Sequence, residues 1–289
     1  MTDARKDYLK KQRKEKIIVS CFRLLIVFVF LIMWEILSRF NLINTFLFSS
    51  PSRILKVFID LCYSGSIFQH IGITLYELFI SICLGSLLGL VIATILWWNK
   101  LVAKIIDPYL TILNSLPKVA LGPLIIIWVG ASINSIIFMA LLISVFITII
   151  NIYNSFSNTD KNYILLMKSF NASKWQIFWK VVLPSNYNNI INTLKINISM
   201  NLIGVIMGEL LVSKKGIGYL IMYGSQVFNI DLVIMGVFVL GFISYILYII
   251  IDKLNKKRDL WVVSFCVWAL SYFIIILSLL ILLMFFVPN

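Results

Sequence analysis

The sequence predicts an all-α integral membrane protein, and three observations carry that prediction. Mean hydropathy is +0.99, with 61% hydrophobic and only 13% charged residues, which excludes an ordinary soluble domain. Apolar runs of about 20 residues recur along the chain, the length of a membrane-crossing helix, whereas a barrel would show alternating segments of about ten. The formal charge of +13 is gathered at the N-terminus and in short segments between these runs. There it orients helices in a bilayer, and nucleic acid is rejected as a partner.

Residues 1–18 carry Arg5, Lys6, Lys10, Lys11, Arg13, Lys14 and Lys16 and are expected to form a basic cytoplasmic N-terminus. The run Val19–Leu37 is too long for a signal-peptide core and lacks a small-residue cleavage site, so it is expected to be an uncleaved first span. Arg23 and Glu35 near its ends are placed to reach headgroups or water. Ser49-Ser50-Pro51-Ser52 is a helix start, and Ile54, Val57, Phe58 and Leu61 follow at helical spacing, predicting a short amphipathic helix on the outer surface. His70 is the single histidine and is expected at the surface. Cys21, Cys62, Cys83 and Cys266 show neither disulfide nor metal spacing and are assigned to packing.

The second span, about Thr74 to Trp98, contains Gly85 and Gly89 at the spacing that lets another helix backbone approach closely. Glu77, near its outer end, is open to a functional role, with a snorkelling or capped residue the favoured reading. Pro117 and Pro123 then interrupt the third crossing at membrane depth, where irregular backbone is tolerated only inside a bundle or beside an aqueous cavity. Two readings stay open: residues 115–124, with Pro117, Gly122 and Pro123, line a central pathway, or they form a packed kink. The fourth span runs from about Ile133 to Tyr153. In the fifth, about Ile190 to Val212, Asn197, Asn201, Gly204 and Gly208 share one face, suited either to bonds between helices or to contact with a translocated solute. Glu209 follows near the outer end. Lys214 and Lys215 in the next outer loop run against the usual charge bias. The sixth span, about Leu232 to Ile251, exits at Lys253, Lys256, Lys257 and Arg258, with Asp231 and Asp252 at its boundaries. A seventh, Leu260 to Val287, leaves the C-terminus outside. The chain thus divides into 1–18, a transmembrane domain 19–252, and an extra C-terminal helix 253–289.

Residues 155–184 interrupt the spans with the pattern of two short helices. Tyr163, Leu166, Met167 and Phe170 make one face of the first, with Lys161, Leu165 and Lys168 on another. Asn171 offers a left-handed stop, and Ser173 with Gln176 makes a capping box. Trp175, Phe178, Trp179 and Val182 stripe the second helix, and Pro184 is the expected end. The pattern alone allows either helices resting on headgroups or a surface offered to a partner. Counting crossings from a cytoplasmic N-terminus places this segment in the cytoplasm, in agreement with Lys161, Lys168, Lys174 and Lys180.

No phosphate-cradling loop, metal-ligand cluster or nucleophile–base pair can be assembled, and the mid-membrane region offers none of the buried carboxylates that proton- or sodium-coupled carriers often use. No catalytic residue, metal or bound cofactor is therefore expected, and energy for uphill transport would enter through 155–184.

Asn171, nine further residues and Val181-Val182-Leu183-Pro184 resemble the G-x9-I-x-L-P core of the cytoplasmic loop in permease subunits of bacterial ABC importers, in particular the nitrate, sulfonate and taurine type. Leu116-Pro117 with Pro123-Leu124, Gly208-Glu209-Leu210 and Gly216-Ile217-Gly218-Tyr219-Leu220-Ile221 extend the resemblance over about residues 20–252. It implies a six-helix importer permease core in the bacterial cytoplasmic membrane. It also implies coupling helices, carrying Leu165, Leu166, Met167, Phe170, Asn171, Ala172, Ser173, Trp175 and Pro184, that sit in a groove of a separate ATPase subunit using ATP and Mg. A second permease subunit, most simply another copy, would complete the pathway, and an extracytoplasmic binding protein would deliver solute. ATP binding would switch the pathway between inward- and outward-facing states. The sequence departs from the family pattern in three places. The family's Glu-Ala-Ala is Leu165-Leu166-Met167, its glycine is Asn171, and the seventh span lies beyond its core. A self-contained secondary carrier and a non-transporting assembly protein are the alternatives.

Overall fold

The computed structural model describes residues 3–255, among which no strand occurs. In chain order the helices are α1 (Asp3–Arg39), α2 (Thr45–Phe48), α3 (Pro51–Tyr63), α4 (Ser66–Trp98), α5 (Lys100–Ser115), α6 (Gly122–Val129), α7 (Ile133–Ser157), α8 (Lys161–Ser169), α9 (Lys174–Ile177), α10 (Leu183–Ser185), α11 (Tyr187–Val212), α12 (Ile217–Gln226) and α13 (Ile230–Asn255). Two compact units form, one of Met1–Ile67 with Ile221–Met235, the other of Phe68–Leu220 with Gly236–Asn289. The expected seventh span, the C-terminus and Cys266 lie outside the described residues.

In the first unit, α1 carries the apolar run Val19–Leu37 within one longer helix. Glu35 accepts from Arg39 Nε at 2.9 Å and from the Ser52 backbone N–H at 3.1 Å. It thereby serves the start of α3, where the leading N–H groups have no helical partner. Ser50 caps α3 by accepting from Arg53 N–H at 3.3 Å, and Pro51 opens the helix as its spacing predicts. Ile54 is buried, with Val57, Phe58 and Leu61 half-buried beside it. Arg53 reaches Asp231 at 2.8 Å, giving that boundary acid a partner no local pattern shows.

In the second unit, α4, α7, α11 and, with its first residues in the other unit, α13 are long and apolar enough to cross a membrane. Where the sequence predicts the third crossing, Lys100–Ser115 and Lys118–Val129 form a bent pair that meets at 82°. Pro117 leads a 3-10 turn over Lys118–Leu121, and Pro123 begins α6 instead of kinking a longer helix, because proline is tolerated only in a helix's first turn.

Helix α7 is held between two glycine-bearing faces. A Cβ on Gly89 would fall 2.5 Å from Thr148 Cβ and one on Gly85 2.5 Å from Ser144 Oγ, so the small-residue spacing in α4 is filled by α7. Opposite, a Cβ on Gly204 would lie 2.4 Å from Ala140 Cα, and one on Gly208 2.9 Å from Ile136 Cα. Polar bonds cross the same seam, as amides in hydrocarbon require. Asn197 Nδ2 donates to Ser86 Oγ at 2.9 Å and its Oδ1 accepts from Thr148 Oγ1 at 3.0 Å, tying α4, α7 and α11 together. Asn201 Oδ1 accepts from Ser144 Oγ at 3.1 Å.

Asp252 also has a hidden partner. Lys195 Nζ lies 2.6 Å from its Oδ1, with the two side chains only 13% and 10% exposed. Lys195→Met should cost ~3 kcal/mol in unfolding measurements, because it strands a buried carboxylate, whereas Lys195→Met with Asp252→Leu should recover most of that loss.

Candidate functional site

Helices α8 and α9 form as their sequence predicts. Asp160 caps α8 by accepting from Asn162 N–H at 2.8 Å. Asn171 is left-handed at φ 52°, its N–H donating to Lys168 O at 2.9 Å while Ala172 N–H donates to Met167 O at 3.0 Å. Ser173 and Gln176 make the reciprocal capping box, with Ser173 N–H donating to Gln176 Oε1 at 2.8 Å and Gln176 N–H to Ser173 Oγ at 3.3 Å. The second helix does not end at Pro184. It widens through a π turn at Phe178–Val182 into α10 and stops at Asn186. Pro184 fits because it falls in the first turn of α10, where its missing N–H costs nothing. Since Asn171 sits in the left-handed region that glycine enters freely, Asn171→Gly should leave stability within a few tenths of a kcal/mol. Asn171→Val should cost ~1–2 kcal/mol in thermal unfolding, because a β-branched residue is strained there.

The apolar stripes are divided between core and surface. Ile177, Phe178 and Val182 are buried with Ala93, Ile152 and Phe156, and Ile164, Met167 and Ala172 pack against that cluster. Phe178 meets Trp97 at 5.2 Å and Phe156 at 5.6 Å between ring centroids, and Trp175 lies 5.8 Å from Trp98. Lys174 donates to the Trp98 carbonyl and stands 5.5 Å from the centroids of both Trp97 and Trp98. The loop is thereby stapled to the ends of α4 and α7. What remains outward is Tyr163, Leu165, Leu166, Phe170, Trp175 and Trp179, each at least half exposed. Trp97, Trp98 and Lys174 were absent from the sequence-derived site, since nothing local pairs a tandem tryptophan with a lysine more than seventy residues later; that pairing has |i−j| of 76.

At the bend, Pro117 and Pro123 are exposed and Gly122 is buried. A Cβ on Gly122 would come within 2.8 Å of Leu211 Cδ1 and 3.1 Å of Met139 Cε, so the bend rests on the α7–α11 seam. Lys118 turns back to donate to Asn114 O at 2.9 Å and Oδ1 at 3.1 Å, placing its charge at the C-terminus of α5. Asn197, Asn201, Gly204 and Gly208 are all buried inside the subunit, and the bonds between helices supply the amides' partners. Toward the loop the same polar faces part into an open cleft of about 430 Å³, where Asn151 and Asn154 of α7 and Asn158 just beyond its end face Asn189, Asn192 and Thr193 of α11.

The structure corrects the reading of the acidic residues. Glu77 and Glu209 are both buried, at 0% and 1% exposure, and their carboxyls adjoin. Glu209 accepts from Thr74 Oγ1 at 2.6 Å and from Gly218 N–H at 2.5 Å, while Ile217 N–H donates to Thr74 Oγ1 at 2.9 Å. Gly216, at φ 113°, lies so close that a Cβ would fall 2.3 Å from this carboxyl. His70 is half-buried: its Nδ1 accepts from Gly216 N–H at 3.0 Å and its ring stacks on Tyr219. A single acid at a helix end looks solvated in sequence; only folding brings the second acid and the turn to it. Cys21 and Cys83, expected in packing, are exposed because they lie on outward helix faces.

Helices long and apolar enough to cross a membrane, a pair of them bent by 82°, and an anchored helix-turn-helix beyond their ends are the arrangement of a membrane permease component. The chain belongs to the binding-protein-dependent transport system inner membrane component family, whose model matches residues 85–260. It is 31% identical over 82% of its length, and 96% of the relative's, to a probable ABC transporter permease protein of Haemophilus influenzae. It is 28% identical to the formylaminopyrimidine transport permease protein ThiX of Halalkalibacterium halodurans, over 80% of this chain and 92% of that one. To the putative aliphatic sulfonates transport permease protein SsuC of Bacillus subtilis it is 26% identical, over 82% and 86%. A solved structure of the MetNI methionine ABC transporter in an inward-facing conformation shares the fold, with a TM-score of 0.61 at 17% identity over 68% of this chain and 97% of that one. This chain is the permease subunit of an ABC importer, a multi-pass membrane component without enzymatic chemistry of its own.

Proposed function

We propose that this permease imports a small polar organic solute bearing an anionic group, in a complex of two permease copies, a separate ATPase and an extracytoplasmic solute-binding protein. The observation that carries the coupling role is the outward apolar ridge on 155–184, held by an aromatic cluster to the ends of two crossing helices. A ridge so anchored transmits displacement, because a close-packed core shifts as a unit. Leu165 stands where the family's acid would be and supplies apolar contact in its place. ATP and Mg belong to the partner, and the N-terminus and this loop are cytoplasmic.

The pathway runs along the bend at Pro117, Gly122 and Pro123, with the asparagine-lined cleft as its inner mouth. Ile127 and Trp128, 80% and 72% exposed next to the bend, suit burial against a second copy. Asn197, Asn201, Gly204 and Gly208 act on the pathway by supporting the bend. Lys118 is the cation at the bend and suits an anionic group, in keeping with the sulfonate solutes named for one relative.

Reconstitution tests this function. Uptake into proteoliposomes should require the ATPase and ATP; uptake driven by an ion gradient without the ATPase would establish a secondary carrier instead. In that assay, cysteines placed at 117, 121 and 123 should react with impermeant thiol reagents in at least one transport state, and inertness in every state would remove the pathway from the bend.

A further inference from the structure

We propose that the ATPase receiving the 155–184 loop lines one edge of its groove with carboxylates that pair with Lys161 and Lys168 of α8, a partner chemistry that rests on the coupling role given to this loop. Helix α8 has two sides. Ile164 and Met167 pack on the cluster at the ends of α4 and α7, so the opposite side faces away from the bundle, with Leu165 and Leu166 60% and 54% exposed along it. Lys161 and Lys168, two turns apart, border this apolar row on one edge. Tyr163 and, at the cap, Phe170 border it on the other, also two turns apart.

Both lysines are exposed, and no ion pair among the described residues reaches them. Asp160, the one acid within 155–184, is engaged in capping α8 through Asn162 N–H at 2.8 Å, and Lys174 is held at the Trp98 carbonyl. The cytoplasmic charge bias accounts for lysines in this segment but not for their alignment along the ridge.

When the ridge is covered, both ammonium groups lose water at the border of an apolar contact. A basic wall would repel them, and an apolar wall would leave them unpaired. Carboxylates about 10 Å apart, matching two helical turns, meet both needs. Anionic lipid headgroups carry the same charge, but the row beside the lysines faces away from the ends of the crossing helices on which α8 is packed. That is the side from which a soluble partner approaches.

The test uses the full-length permease with its cognate ATPase, in nanodiscs of phosphatidylcholine alone and of phosphatidylcholine with phosphatidylglycerol. Carbodiimide, which joins an amine to a carboxylate where the two touch, should link Lys161 and Lys168 to Asp or Glu of the ATPase, read by peptide mass spectrometry. Lys161→Glu with Lys168→Glu should weaken ATPase binding about 30-fold at low ionic strength and far less near 1 M salt, where the Debye length is about 3 Å. Lys161→Arg with Lys168→Arg keeps the charge without the reactive amine, and should bind the ATPase but lose the cross-links. Lysine in place of the cross-linked ATPase acids should restore binding to the doubly reversed permease. Absence of cross-links to the ATPase, or unchanged affinity after the double reversal, would overturn the acidic edge. So would a loss of affinity confined to the phosphatidylglycerol discs, which would assign the lysines to headgroups. Phe170→Asp, on the aromatic edge, separates the failures: if it weakens binding and the double reversal does not, only the carboxylates fall, and if neither does, the coupling role falls as well.

Discussion

Phe170→Asp should weaken binding of the permease to its cognate ATPase by about 100-fold and leave membrane insertion unchanged, a loss of ~2.7 kcal/mol that is typical of a buried aromatic anchor at an interface. The side chain is 73% exposed, so its replacement disturbs little within the subunit. A pull-down or a titration of ATPase against the solubilised permease measures it, and unchanged association would remove the coupling role from the ridge. Trp175→Asp should lose binding too, but with added destabilisation, because the Trp175 ring also packs 5.8 Å from Trp98 and 5.5 Å from Trp179. The difference between the two variants separates contact with the partner from anchoring of the loop.

Gly204→Leu should destabilise the permease by ~3 kcal/mol or more, enough to abolish accumulation of folded protein in a marginally stable chain. The atom in the way is Ala140 Cα, 2.4 Å from the added Cβ, and backbone cannot rotate aside as a side chain can. Parting α7 from α11 would also stretch the bonds from Thr148 to Asn197 and from Ser144 to Asn201 and take the support from beneath Gly122. Gly241→Leu is the control, because open space surrounds that position, and it should unfold at the wild-type temperature. Equal stability of the two variants would show that the seam yields more than close packing allows.

Much of the coupling segment was legible because its determinants are local. A Ser-x-x-Gln box, an asparagine able to hold positive φ and an apolar period need only neighbours within one turn, and all three formed. Which half of each stripe turns outward was not legible. Phe178 and Trp179 are consecutive and both aromatic, yet one is 4% and the other 50% exposed, since Trp97 and Phe156 arrive from distant helices to cover only the first. The bend was legible from its prolines, but the turning back of Lys118 to Asn114 was not.

By itself, the sequence determined that the chain is helical and crosses a membrane, where the third crossing breaks, and where a two-helix segment leaves the bilayer, because apolar length, proline and caps act through covalent neighbours. The tertiary structure alone decided the pairings: Glu35 with α3, Arg53 with Asp231, Lys195 with Asp252, and Glu77 with Glu209 under the Gly216–Gly218 turn. Each acid looked like a boundary residue, as a charge near the end of an apolar run usually does. A charge drawn into a low-dielectric interior must find a counter-charge, a donor or a proton, and its partner can come from anywhere that folding brings within reach.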